Sequence, residues 1–88
     1  MEEYVEVLIA EGKLEEAIAV LERKCEQEEE EEMLLLLGEL YYKKGKSIQA
    51  LNKFNAVLRK NPDNIKAHTY VTMINNILNF YHKDLLNP

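Results

Sequence analysis

Apolar residues along this chain recur every three or four positions, the period of a helix with one buried face. No stretch alternates with period two for long enough to make a strand. Leu14, Ala17, Ile18, Leu21 and Cys25 form one stripe, and Leu34, Leu37, Leu40 and Tyr41 a second. Ala50, Leu51, Phe54, Val57 and Leu58 form a third, and Ala67, Val71, Ile74, Leu78 and Tyr81 a fourth. Gly12 and Gly45 fall between stripes, where a residue that tolerates positive φ ends a helix. Asn61-Pro62-Asp63-Asn64 is the sharpest break, because proline biases Asn61 out of helix and offers no N–H. The pattern predicts helices over 3–11, 14–26, 31–44, 47–60 and 65–82. Connections this short force neighbouring helices to pack antiparallel, so the fold class is all-α with five helices.

The two glycines also expose an internal repeat. Setting Gly12 on Gly45 puts Lys13 on Lys46, Ala17 on Ala50, Ile18 on Leu51 and Leu21 on Phe54, with an offset of 33 residues throughout. A period of this size marks a stacked array of helical pairs. Small Ala17 and Ala50 let two helices approach, and Leu21 and Phe54 fill the space one turn later.

Residues 31–64 carry the resemblance furthest. Leu34 stands at the fourth position, Leu37-Gly38 at the seventh and eighth, and Tyr41 at the eleventh. Gly45, Ala50, Phe54 and Pro62 follow at positions fifteen, twenty, twenty-four and thirty-two. The segment resembles the tetratricopeptide repeat, a helix–turn–helix unit of about 34 residues. Val57 departs mildly from the alanine usual at position twenty-seven. The resemblance implies a short superhelix of stacked antiparallel pairs, in which Gly38 admits the facing helix and Pro62 ends the second helix of its pair.

On that reading residues 1–88 form one domain: a truncated repeat at 1–30, a full repeat at 31–64, and a capping helix and tail at 65–88. In the first unit Val5, Lys24 and Glu29 replace the two small residues and the proline of the pattern. In the last, Thr72, Asn75 and Asn79 replace glycine, tyrosine and the turn glycine, so the helix is expected to run past the usual turn toward His82. Arrays usually need about three units to bury their faces, and the shortfall predicts marginal stability or self-association.

Composition excludes several classes. With 47% apolar and 31% charged residues the chain is globular and not disordered. No unbroken apolar run exceeds that of Met33–Leu37, so no membrane span is expected. One cysteine forms neither an internal disulfide nor a cysteine-based zinc site. The acidic start, Met1-Glu2-Glu3, lacks the positive charge of a secretory signal, and a cytoplasmic location is expected. The net charge of −5 conceals an asymmetry. Residues 1–32 hold 13 Glu against Lys13, Arg23 and Lys24, whereas 33–88 hold Glu39, Asp63 and Asp84 against eight Lys and Arg. Nucleic-acid binding is disfavoured, because it needs a concentrated basic face; Lys43, Lys44 and Lys46 read as a solvated turn.

Candidate chemistry is sparse. Gly45-Lys46-Ser47 ends like a phosphate-binding loop, but Leu40 stands where that loop needs its first glycine and no strand precedes it. His68 and His82 lack a carboxylate or thiol at ligand or triad spacing. Cys25 lies on an apolar stripe and reads as a small core residue. Glu26 to Glu32, six glutamates around Gln27, lack the alternating ligands and central glycine of a calcium loop. They read as a solvated junction favouring the start of the third helix through its dipole. No enzyme, cofactor or metal site is expected.

The resemblance implies a scaffold that holds a peptide or helix of a protein partner in a concave groove. Carried over by position, the groove would present Glu2, Glu6 and Ile9, then Leu35, Glu39, Tyr42 and Lys43, then Lys66, Thr69, Met73, Asn76 and Ile77. Family members that clamp a C-terminal carboxylate use basic and amide residues; here those positions hold Glu2, Glu6, Leu36, Lys66 and Tyr70, so a clamp is not expected. Leu35, Tyr42, Met73 and Ile77 would anchor a ligand, while Glu2, Glu6 and Glu39 favour one carrying Lys or Arg. The alternative function is a self-assembling unit. Tyr70, Met73, Ile77 and Phe80 give the last helix a second apolar face, Phe80, Tyr81, Leu85 and Leu86 form a sticky tail, and the ends carry opposite charge.

Overall fold

The computed structural model describes residues 3–86 of the backbone and 3–80 of the side chains. Five helices follow one another: α1 (Glu3–Ala10), α2 (Leu14–Gln27), α3 (Glu31–Lys43), α4 (Ser47–Lys60) and α5 (Ile65–Leu86). Sequential neighbours pack together, α1 on α2, α2 on α3, α3 on α4 and α4 on α5. The described residues contain no strand. Each predicted helix is present, with ends shifted by one residue or so except in α5, which continues four residues beyond 82. Neither glycine nor proline occurs between residues 65 and 86, so nothing interrupts the hydrogen-bond ladder there.

The turns after α1 and α3 are the same structure built twice. Gly12 takes φ 78° and Gly45 φ 75°, the left-handed region that glycine enters without a Cβ penalty. Around Gly12, the Gly12 N–H donates to the Ile9 carbonyl (3.0 Å) and the Lys13 N–H to the Leu8 carbonyl (2.8 Å). Around Gly45, the Gly45 N–H donates to Tyr42 (3.0 Å) and the Lys46 N–H to Tyr41 (2.9 Å). These paired bonds close both helices with a Schellman motif and satisfy their last carbonyls.

The turn after α4 works through side chains. Asn61 is extended (φ −142°, ψ 92°), as its place before Pro62 requires. Asn64 caps α5 by accepting the Ala67 N–H on Oδ1 at 2.9 Å. Glu31, at the start of α3, reaches across and accepts from Asn64 Nδ2 (2.6 Å) and Asn61 Nδ2 (2.9 Å). The acidic junction is therefore solvated at residues 26–30 and 32, but Glu31 is a structural clamp on the α4–α5 turn. Those amide donors hold its carboxyl below the usual range, Asn64 first.

Two apolar clusters share α3. The first joins Val5 and Leu8 of α1, Ala17, Ile18 and Leu21 of α2, and Leu37 and Leu40 of α3. The second joins Leu34 with Ala50, Phe54, Ala56 and Val57 of α4 and Ala67 and Ile74 of α5. Cys25 and Tyr41 are half-buried against both, which places the lone thiol at the seam between the clusters; burial pushes that thiol's pKa up. Gly38 is where α3 and α4 come closest: a Cβ there would lie 2.6 Å from Phe54 Cε1. At the equivalent place in the first unit, the bulkier Val5 is matched by the smaller Leu21, and both are fully buried.

Charged residues tie the helices at the edges. Glu22 of α2 accepts from the Tyr41 hydroxyl (2.5 Å) and from Lys53 Nζ of α4 (2.8 Å), linking three helices. Burial raises the Glu22 pKa, but the Lys53 and Tyr41 hydrogen bonds outweigh it and leave the carboxyl below its ordinary value. Burial and the Glu22 carboxylate push the Tyr41 phenol up to about 12.

Candidate partner-binding face

The groove residues expected from the sequence fall on α1, α3 and α5, and their surroundings differ. Glu2 lies outside the described residues. On α1, Glu6 is exposed, whereas Ile9 is half-buried against the first cluster. On α3, Leu35 is half-buried against the second cluster, while Lys43 is exposed. On α5, Lys66, Thr69, Met73, Asn76 and Ile77 are all exposed.

Glu39, Tyr42 and Lys66 come together around a residue outside the expected groove set, Tyr70. The Tyr70 ring stacks on Phe54, with centroids 4.5 Å apart and planes 5° from parallel. Tyr42 meets it edge-on, at 5.3 Å and 69°. The Tyr70 hydroxyl donates to Glu39 Oε2 at 3.3 Å, and Lys66 Nζ approaches the same oxygen at 3.4 Å. Burial, then the Glu39 charge, raises the Tyr70 pKa. Tyr70 therefore couples the core to the outer face, stacked on Phe54 on one side and crossed at a steep angle by Tyr42. Its helical spacing from Lys66, Met73 and Ile77 already put it on their face; the stack on Phe54 had no local signal.

Met73 and Ile77 continue this face one and two turns along α5, each 38% exposed. The arrangement is an apolar strip beside one loosely held carboxylate. Both contacts to Glu39 are longer than a strong charge-assisted hydrogen bond, about 2.7–2.9 Å. Thr69 turns its hydroxyl to the Ile65 carbonyl of its own helix (3.0 Å) and is occupied there.

The other polar clusters have structural partners. Lys44 pairs with Glu15 at 2.8 Å, beside a shallow depression of about 290 Å³ bordered by the Gly12 turn. His68 Nε2 donates to the Pro62 carbonyl at 2.6 Å. Among the described residues no three His, Cys, Asp or Glu side chains converge on a metal position. No helix among them is long and apolar enough to cross a membrane.

No curated protein and no solved structure matches the chain significantly. A family model for the tetratricopeptide repeat matches residues 8–74, from the end of α1 to the middle of α5. With the two Schellman turns, the Gly38–Phe54 contact and the shared α3, that match over most of the chain shows that it belongs to the tetratricopeptide repeat family.

Proposed function

We propose that the face formed by α3 and α5 is a docking groove for a peptide or helix of a protein partner that carries apolar anchors and a Lys or Arg. Tetratricopeptide repeats generally mediate protein–protein interaction and are typically non-enzymatic. The observation that carries the finer reading is the exposure of Met73 and Ile77 on α5, next to the half-buried Tyr42 and Tyr70, with Glu39 bonded to Tyr70. Such a strip offers the apolar anchor sites that dominate binding energy, and the carboxylate selects a cation at its edge. Glu6 and Ile9 extend the same face onto α1 and add further negative charge. Lys66 alone is basic among the positions a carboxylate clamp would use, so the ligand is not held by its C-terminus.

Selection of a displayed random-peptide library on the whole chain tests this. Enriched peptides should combine apolar residues with Lys or Arg, and Met73→Ser with Ile77→Ser should weaken them about tenfold or more. Glu39→Lys should shift the selected peptides from basic to acidic. Enriched peptides that bind both variants as they bind the parent would refute the groove. Self-association through α5 is the second reading, favoured by the same exposure of Met73 and Ile77. Light scattering at two protein concentrations separates it, since an α5 interface gives a mass above 10.3 kDa that the double serine variant abolishes.

A further inference from the structure

The walls of the groove, α3 and α5, both pack on α4, and side-chain bonds join them directly at the head of α5 and at its middle. In the middle, Tyr70 packs against Tyr42 and donates to Glu39. At the head, a single oxygen of Glu31, Oε2, accepts Nδ2 of Asn64 at 2.6 Å and Nδ2 of Asn61 at 2.9 Å. With both nitrogens turned to Glu31, both amide oxygens face the turn. Asn64 Oδ1 accepts the Ala67 N–H (2.9 Å) and Asn61 Oδ1 the Asp63 N–H (3.1 Å). One carboxylate on α3 therefore orients the cap of α5. The junction before α3 lacks this device, since Glu30, in the place that Asn64 holds before α5, makes no side-chain capping bond.

Helix geometry carries the effect to the ligand anchors. Tyr70 lies six residues after Asn64, and Ile77 seven after Tyr70, about 9 and 10 Å along the axis. A tilt of α5 about Tyr70 moves Ile77 as far as it moves Asn64, in the opposite sense. α4 covers Ala67 and Ile74, but apolar contact has no preferred direction, whereas the bonds from Glu31 fix one. An apolar contact opened by about 0.5–1 Å forfeits about a quarter to a half of its attraction. Loss of the clamp is thus felt at Met73 and Ile77, on the far side of the pivot.

We propose that Glu31 is a positioning residue of the groove: through Asn61 and Asn64 its carboxylate sets where α5 stands opposite α3, and with it how well Met73 and Ile77 receive a ligand. Glu31 itself touches no ligand; its role in binding rests on the groove proposed above, whereas its hold on α5 is measurable without one.

Four variants separate the bond from charge and capping. Glu31→Ala removes the acceptor. Glu31→Gln keeps an oxygen that can take both amide donors and loses only the charge. Asn64→Asp keeps the cap on Ala67 but loses the donor and sets two carboxylates together. Glu31→Gln with Asn64→Asp restores a bond with donor and acceptor exchanged. Glu32→Ala, on an exposed neighbour in the same acidic run, is the control. Urea midpoints establish that every variant is folded in the assay. Two readouts are taken on the whole chain: the methyl resonances of Met73 and Ile77 without ligand, and the affinity of peptides enriched on the parent. Glu31→Ala and Asn64→Asp should displace both methyl resonances and weaken the peptides about two- to threefold, the factor given by losing about a quarter to a half of an about tenfold anchor contribution. Glu31→Gln, the paired variant and Glu32→Ala should match the parent in both readouts. Three results would each overturn the proposal. The first is Met73 and Ile77 resonances unchanged in Glu31→Ala and Asn64→Asp. The second is a Glu31→Gln protein that behaves as Glu31→Ala, which would make the charge and not the bond the cause. The third is peptides bound by Glu31→Ala as by the parent, which would leave Glu31 a clamp on stability alone. A library that enriches no peptide on the parent refutes the groove instead, and the methyl spectra then decide by themselves whether Glu31 places α5.

Discussion

Gly38→Ala adds one methyl group at the tightest point between α3 and α4. The new Cβ would stand 2.6, 2.7 and 2.9 Å from three carbons of the Phe54 ring, whereas ordinary contact begins at 3.4 Å. The ring would have to withdraw by 0.8 Å at its nearest atom, the difference of those distances. It has nowhere to go, being fully buried with Tyr70 stacked on it at 4.5 Å. Overpacking of this kind costs about 1–3 kcal/mol. Taking the middle of that range, about 2 kcal/mol, and a return of up to about 1 kcal/mol from alanine's better helix propensity, the net loss should be about 1–2 kcal/mol. In a domain of this size each kcal/mol lowers Tm by about 4–8 °C. Urea unfolding followed by circular dichroism measures it. Phe54→Leu removes the obstruction, and the first unit shows the matching pair, Val5 with Leu21. That single change costs about 1–2 kcal/mol through lost burial. The double variant should be no less stable than Phe54→Leu alone, a coupling of about 1–2 kcal/mol. A Gly38→Ala protein as stable as the parent, or a double variant in which the two losses simply add, would refute the close-contact argument.

The remaining predictions concern protons. Glu22, Glu15 and Glu31 all have carboxyl pKa values lowered in the fold, so their contribution is present above the unfolded value near 4.5 and lost as pH falls through the folded ones. Stability should therefore decline on acidification below about pH 4.5, and Glu22→Gln should flatten that limb in urea midpoints measured against pH; an unchanged limb would show that the Lys53 and Tyr41 bonds carry nothing. Tyr41 has the opposite sign. Its pKa is raised from 10.0 to about 12, so its contribution is full below pH 10 and lost as pH rises toward 12. In a tyrosinate absorbance titration the component at about 12 should disappear in Tyr41→Phe; a titration with the same late component in both proteins would contradict the assignment.

The helices and turns were legible because their causes lie within a few residues. An apolar stripe every three or four positions needs only its own helix, and a glycine closing a Schellman motif needs only the preceding turn. Hence Gly12 and Gly45 could be paired from the sequence, and the φ angles of 78° and 75° followed. The missed features all join residues far apart in the chain. Glu31 binds Asn61 and Asn64 across 30 and 33 residues, and Lys53 reaches Glu22 across 31. Nothing local distinguishes Glu31 from its neighbours in the acidic run, since only the position of the α4–α5 turn above it gives its carboxylate two donors. The end of α5 ran longer than expected for a related reason: without a breaker, the stopping point is not written locally.

The order of helices, their antiparallel pairing and the repeat were determined by the sequence itself, through period, glycine placement and one proline. Which apolar residues remain open was decided by the tertiary structure. Tyr4 and Val7 occupy the same places in the pattern as Leu37 and Leu40, yet the first pair is exposed and the second buried. The residue types do not explain that difference. Periodicity specifies that a face is apolar, and burial depends on whether another helix lies against it, which for α3 is α2 and for α5 is α4.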